Sequence, residues 1–230
     1  MTTFAEKIIS FCKELEFKGS LPPGISVMNP FRKIPEVIQV ITQFYLRFYN
    51  DNMPRHLILG INPGRFGAGV TGIPFTDTKR LEEKCGIIIP VQETYETSSV
   101  FIYDMIDEYG GVQKFYSDFY INSVCPLGFT STGKNGKQVN YNYYDTRNLT
   151  EAVYGFMIES INRQLEFGIE RDVCFCLGAG KNFKFLSELN NKFQIFKRVI
   201  PLDHPRFVMQ YKSKQKHIYI ENYIREFQKV

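Results

Sequence analysis

The sequence predicts an α/β protein, a three-layer α-β-α sandwich around a mainly parallel central sheet of about four strands. Three observations carry that expectation. Four short apolar runs, His56 to Asn62, Phe119 to Val124, Val173 to Leu177 and Phe196 to Leu202, have the length and the β-branched or aromatic content of buried strands. Segments of helical periodicity separate them, and strands alternating with helices pair in parallel through right-handed crossovers, with both faces covered. The chain has 230 residues, 43% of them hydrophobic, which suits one sizeable core. Neither an internal repeat nor a low-complexity linker interrupts it, so residues 1–230 are expected to form a single domain.

Taken in order, the chain opens with Phe4, Ile8, Phe11, Cys12 and Leu15 on one helical face, a helix ending near Phe17, with Thr3 and Glu6 spaced as a capping box. Pro22-Pro23-Gly24 and Asn29-Pro30 break regular structure, and Val37, Val40, Ile41, Phe44, Tyr45 and Phe48 then mark a long, partly buried helix. The first strand follows and runs straight into Pro63-Gly64. Further helices are expected from Ser99 to Glu108, Thr150 to Phe167, Lys181 to Lys192 and near Gln215 to Phe227. Residues 130–148, rich in Thr, Gly, Asn and Tyr, read as one long surface loop. In parallel sheets functional groups gather beyond the carboxyl ends of the strands, which places Asn62-Pro63-Gly64, Asn122-Ser123, Gly178-Ala179-Gly180 and Asp203-His204-Pro205 at one edge.

Composition excludes several classes. No stretch approaches the roughly 20 apolar residues that span a bilayer, and the N-terminus lacks a signal-peptide pattern, so a cytoplasmic protein without a membrane partner is expected. Five scattered cysteines do not make a disulfide framework, and Cys174 and Cys176, two apart in an apolar run, are expected as core thiols rather than metal ligands. The 21 Phe and 14 Tyr suit a well-filled core and also a surface that stacks on bases. The net charge of +4 decides little by itself. Arg206, Lys212, Lys214 and Lys216, however, cluster with Phe207 and Tyr211 as a phosphate-contacting segment requires, although a solvated charge run has the same composition.

Two glycine motifs fail as nucleotide sites. Gly128-Phe129-Thr130-Ser131-Thr132-Gly133-Lys134-Asn135 nearly spells a P-loop, but Asn135 replaces the magnesium-holding Ser or Thr and no helical pattern follows. Gly178-Ala179-Gly180 opens a helix after a strand, yet Phe183 stands where a dinucleotide fingerprint needs its third glycine.

The most informative stretch is Gly60-Ile61-Asn62-Pro63-Gly64-Arg65-Phe66-Gly67, followed by Thr71-Gly72-Ile73-Pro74-Phe75. It resembles the first motif of the single-strand-selective monofunctional uracil-DNA glycosylases, in the uracil-DNA glycosylase superfamily. Phe119-Tyr120-Ile121-Asn122-Ser123-Val124-Cys125-Pro126-Leu127 resembles that family's middle strand, and Leu202-Asp203-His204-Pro205 its last motif. The similarity runs with gaps from about residue 28 to the C-terminus. It departs after His204-Pro205, where the family continues Ser-Pro-Arg-Asn and this chain reads Arg206-Phe207-Val208, as a divergent branch would.

The resemblance implies a monofunctional DNA glycosylase that acts as a monomer, without metal or cofactor, on DNA carrying uracil, while the altered last motif leaves room for related deaminated bases such as xanthine or hypoxanthine. It assigns water positioning to Asn62, stabilisation of the departing base to His204, base reading to Asn122 and base stacking to Phe75. It also places Ile61 and Gly64 at the base, with Gly64 leaving room beside C5 of a pyrimidine; the basic cluster itself, and not the altered motif, puts Arg206, Lys212 and Lys214 on DNA. The residue chemistry is compatible. An amide can orient water without being a strong base, and an imidazole can donate to a base anion whether neutral or protonated. Each residue also has a plainer reading, because Asn before Pro and His before Pro are common turn elements and Gly64 suits a tight turn. A binder that kept this fold without turnover is the alternative, though pure binding requires neither Asn62 nor His204.

Overall fold

The computed structural model describes residues 2–133 and 135–230, so Lys134 of the P-loop-like segment lies outside the described residues. Helix α1 (Phe4–Glu14) carries the expected box: Thr3 Oγ1 accepts from the Glu6 amide at 3.3 Å, and the Glu6 carboxylate accepts from the Thr3 amide at 2.8 Å. Strand β1 (Ile25–Met28) and the short α2 (Pro30–Lys33) lead into α3 (Pro35–Phe48), whose proline occupies the first turn, where no amide donor is needed. Strand β2 (Arg55–Gly60) then gives way to α4 (Ala68–Thr71), α5 (Thr78–Cys85), α6 (Thr97–Tyr109) and α7 (Val112–Asp118). After β3 (Phe119–Ser123) come β4 (Gly128–Thr132) and β5 (Gln138–Tyr141). The chain finishes with α8 (Arg147–Leu165), β6 (Ile169–Leu177), α9 (Lys181–Phe193), β7 (Arg198–Leu202), α10 (Pro205–Tyr211) and α11 (Lys216–Phe227).

The central sheet has four strands in the order β3-β2-β6-β7, all parallel, with Ile58 registered against both Ile121 and Phe175. Helices cover both faces, as alternation along the strands shows. Phe119 and Phe175 point to one side, where Phe227 of α11 meets them at ring separations of 4.5 and 4.8 Å. Tyr120 points to the other, where Phe4 of α1 lies 5.6 Å away. Cys174 and Cys176 sit fully buried in β6, as core thiols.

At the start of β2, a residue earlier than the apolar run begins, Arg55 is buried without being orphaned. Its guanidinium donates to both Asp51 carboxylate oxygens (2.8 and 2.9 Å) and to the Tyr116 carbonyl (2.8 Å), and it lies 4.8 Å from the Phe4 ring centre. A buried cation with its donors satisfied replaces the hydration it loses.

The largest departure from expectation is residues 130–148. Instead of one surface loop they contain the end of β4 and all of β5, which join β1 in a second, antiparallel sheet of order β1-β4-β5. This also removes the P-loop geometry, since Gly128–Thr132 is a strand in a hairpin. The reason is compositional: Gln138 and Val139 are exposed and Asn140 and Tyr141 only half-buried, so no apolar alternation announces the strand. The first helix stops at Glu14 rather than near Phe17. The short helices α5, α7 and α10 offer too few turns for a periodic signal.

Candidate active site

Because the central strands are parallel, their carboxyl ends share one edge. Ile61, Asn62 and Gly64 continue from β2, Ser123 ends β3, and His204 and Arg206 follow β7. These residues line one cavity of about 500 Å³. The antiparallel sheet closes it from the side with Asn140, Asn142 and Tyr144, and Glu96 and Ser98 enter from the start of α6.

Asn62 is held at both ends of its amide. Its Oδ1 accepts from the Tyr143 amide at 3.1 Å and its Nδ2 donates to the Tyr141 carbonyl at 3.2 Å. These bonds latch the exit of β5 to the exit of β2; Nδ2 also donates to the Pro63 carbonyl at 3.5 Å, and Oδ1 keeps a second lone pair. The side chain is thus fixed in orientation while it faces the cavity.

His204 caps α10, and its Nδ1 accepts from the Arg206 amide at 3.1 Å. That bond assigns the proton to Nε2. Burial, reinforced by the Arg206 charge, pushes the imidazole down to about 4, so it is neutral at physiological pH. The ring therefore offers one N–H donor and adds no charge.

Phe75 follows Pro74 with φ +54°, a left-handed conformation a bulky residue rarely takes, and its ring lies 5.9 Å from that of His204. Gly60 explains how the ring fits: a Cβ there would stand 2.7 Å from Phe75 Cζ, so only glycine lets the ring lie across the strand end.

Gly64 does not leave open space. A Cβ on it would meet Glu96 Oε1 at 2.6 Å, and one on Gly67 would collide with Glu96 Oε2. Both glycines thus stand against the tip of the half-buried Glu96 side chain, and Gly64 also borders the cavity. Burial, the Asp77 carboxylate behind it and an opposing pull from Arg206 set Glu96 at about 7. Asp77, itself fully buried, fixes the Glu96 amide at 2.7 Å and caps α5 by accepting from the Arg80 amide at 2.8 Å.

Asn122 lies away from the cavity. Its Nδ2 donates to the buried Tyr120 hydroxyl at 2.7 Å and its Oδ1 accepts from the Ser123 amide at 2.8 Å. Residues alternate along a strand, so Asn122 shares a face with Tyr120, and its neighbour Ser123 faces the cavity. Ile61, Asn62, Gly64, Phe75, His204 and Arg206 are thus brought together, and Asn122 is not. Lys212 and Lys214 are exposed just past α10, outside the cavity wall, whereas Lys216 pairs with Asp104. Among the described residues no three His, Cys, Asp or Glu side chains cluster so as to hold a metal ion, and no helix is long and apolar enough to cross a membrane.

A parallel four-stranded sheet with Asn-Pro-Gly after one strand and His-Pro after another defines a class. A family profile described as the uracil DNA glycosylase superfamily matches residues 46–228, and the chain belongs to that superfamily. Among solved structures it is similar to wild-type SMUG2 of Pedobacter heparinus, with 55% identity, coverage of 99% of this chain and 98% of that one, and a TM-score of 0.97. No curated protein matches the chain.

Proposed function

We propose that the protein is a monofunctional DNA glycosylase that hydrolyses the N-glycosidic bond of uracil or a related deaminated base in DNA. The observation that carries this reading is the pair formed by a locked Asn62 amide and a neutral His204 Nε2–H donor, which line one cavity from the ends of two parallel strands.

A base inside a stacked strand cannot reach such a cavity, so the nucleotide is flipped into it, against the Phe75 ring. About 500 Å³ admits a purine as readily as a pyrimidine, which supports deaminated purines such as xanthine and hypoxanthine beside uracil. Ser123 is the polar group of β3 that meets the base edge. Its hydroxyl both donates and accepts, so it suits the N–H and carbonyl pattern of all three bases. A water held by the Asn62 amide attacks C1′ of the sugar. The C1′–N bond breaks with its electron pair leaving on the base, and the His204 N–H stabilises that anion. The proton lost by the water ends on the released base. No lysine occurs among the described residues that line the cavity, which supports hydrolysis without a covalent enzyme–DNA adduct.

The test is base release from oligonucleotides carrying uracil, hydroxymethyluracil, hypoxanthine or xanthine, in single and double strands, by wild type, Asn62→Ala and His204→Ala. Release from at least one substrate, lost in both variants and leaving an unbroken abasic strand, is expected. DNA binding without any release would replace the reading with that of a binding protein. A borohydride-trapped adduct would overturn the monofunctional assignment.

A further inference from the structure

A second cavity of about 390 Å³ adjoins the first and shares its wall of Glu96, Ser98, Asn140 and Arg206. Its remaining lining is unusual for a protein surface. Phe66, Tyr95 and Val139 are 48%, 55% and 41% exposed, and all three converge on this one hollow. Single exposed apolar residues need no explanation, but a converging set beside a functional cavity marks a contact surface.

Cations stand over both rings. The Arg65 guanidinium lies 4.7 Å from the Phe66 ring centre and that of Arg80 4.7 Å from the Tyr95 ring centre. Arg65 Nε is buried with no hydrogen-bond partner among the described residues, although the Arg65 amide is fixed by Asn140 Oδ1 at 3.1 Å. The Arg80 guanidinium donates to Asp77 Oδ2 at 3.3 Å, whereas that of Arg65 faces the Phe66 ring, and exposed aromatic faces beside a cation match a nucleobase with its phosphate better than an apolar peptide, which carries no charge to meet it.

We propose that this second cavity is a subsite for one unstacked nucleobase next to the flipped one on the same DNA strand. The inference rests on the glycosylase reading, because it takes the first cavity as the place of the flipped base. Its physical content is that Phe66 and Tyr95 supply the stacking surface the neighbouring base loses when its partner leaves the stack.

The test uses single-stranded oligonucleotides with a central uracil and either intact neighbours or a reduced abasic spacer on its 5′ or its 3′ side. Binding is read by fluorescence anisotropy and base release in parallel. Wild type is expected to bind the intact strand at least about fivefold more tightly than one of the two spacer strands, and Phe66→Ala/Tyr95→Ala to bind them equally. Both side chains are exposed and outside the first cavity, and a thermal melt checks that the variant is folded. Indifference of wild type to both spacers, or an undiminished preference in the variant, overturns the subsite. Release without preference removes the subsite and keeps the glycosylase reading, whereas preference without release keeps the subsite and removes that reading.

Discussion

Gly60→Ala tests whether the Phe75 ring must lie where it does. Gly60 ends a central strand, and its carbonyl accepts from the Val124 amide at 2.9 Å, so its backbone has little freedom. The added Cβ would stand 2.7 and 2.8 Å from two Phe75 ring carbons. Ordinary carbon contacts lie near ~3.7 Å, so one partner must retreat by about 1 Å. Phe75 is the one able to move, being half-buried with open cavity on one side. Overpacking in a closed core costs about 1–3 kcal/mol; here the ring yields, and alanine is favoured over glycine in a strand by roughly 0.5–1 kcal/mol, so the net stability change is expected within about 1 kcal/mol. Activity is more sensitive, since a displacement of about 1 Å at a positioning group can lower a rate by roughly 10²-fold. Single-turnover base release and thermal melts on Gly60→Ala, Phe75→Ala and the double variant complete a cycle. The expected outcome is a large rate loss in Gly60→Ala at near-normal stability, with the double variant no worse than Phe75→Ala. A rate within about threefold of wild type, or losses that multiply in the double variant, would refute the argument.

Five further outcomes are expected. Glu96, ordinarily at 4.5, is held at about 7 in the folded chain, so its ionisation opposes folding increasingly as pH rises between those values; Glu96→Gln gains melting temperature over wild type above pH 7 and none below 4.5. The same charge beside a departing base anion slows wild-type release as pH rises through about 7, an inflection absent from Glu96→Gln, while His204 at about 4 adds none in that range. Asn122→Ala leaves the buried Tyr120 hydroxyl without the N–H that donates to it and lowers stability by about 1–3 kcal/mol with base preference unchanged, whereas Ser123→Ala alters base preference in the oligonucleotide panel with little effect on the melt. Removing Arg206, Lys212 and Lys214 together reduces the slope of log Kd against log salt on single-stranded DNA by about 0.7 for each phosphate they neutralise, and an unchanged slope would take all three off the DNA. Asn62→Asp keeps an acceptor for the Tyr143 amide and Asn62→Ala does not, so hydrogen exchange at Tyr143 separates a loosened latch from lost chemistry; release by Asn62→Ala at the wild-type rate would exclude Asn62 from the reaction.

The four central strands were legible because they are buried on both faces and therefore read as uninterrupted apolar runs, and parallel pairing then put Asn62 and His204 at one edge from sequence order alone. The antiparallel sheet was not legible, because a half-exposed strand of Gln, Val, Asn and Tyr has neither alternation nor an apolar run. That Asn122 turns from the cavity and Ser123 toward it was within reach. Tyr120 and Asn122 share a strand face, and a buried tyrosine hydroxyl takes the amide it finds there. Glu96 had no such signal, since its burial and its neighbour Asp77 arise only when the segments before α5 and α6 are brought together. For the same reason nothing in the sequence signalled that the Glu96 carboxyl group lies against Gly64.

The two sheets divide the labour of the site. His204, Asn62 and Ser123 stand on strand ends of the central sheet, where register fixes them to one another and a change in one strand disturbs its neighbours. Asn140, Asn142 and Tyr144 stand on or beyond the antiparallel hairpin, which meets that edge through the Asn62 amide, and Glu96 comes from a helix start held by Asp77. Under the proposed function, groups of the first kind act on the atoms common to every deaminated base, the glycosidic carbon and a carbonyl oxygen. Groups of the second kind enclose the side of the cavity away from the strand ends, where a purine needs more room than a pyrimidine on the same reading. Under that reading, substitution on the hairpin or at Glu96 is expected to shift the range of bases accepted while the bond-breaking geometry stays in place, and because Asn140 and Glu96 also belong to the wall shared with the second cavity, a change at either is expected to alter the hold on the neighbouring base as well.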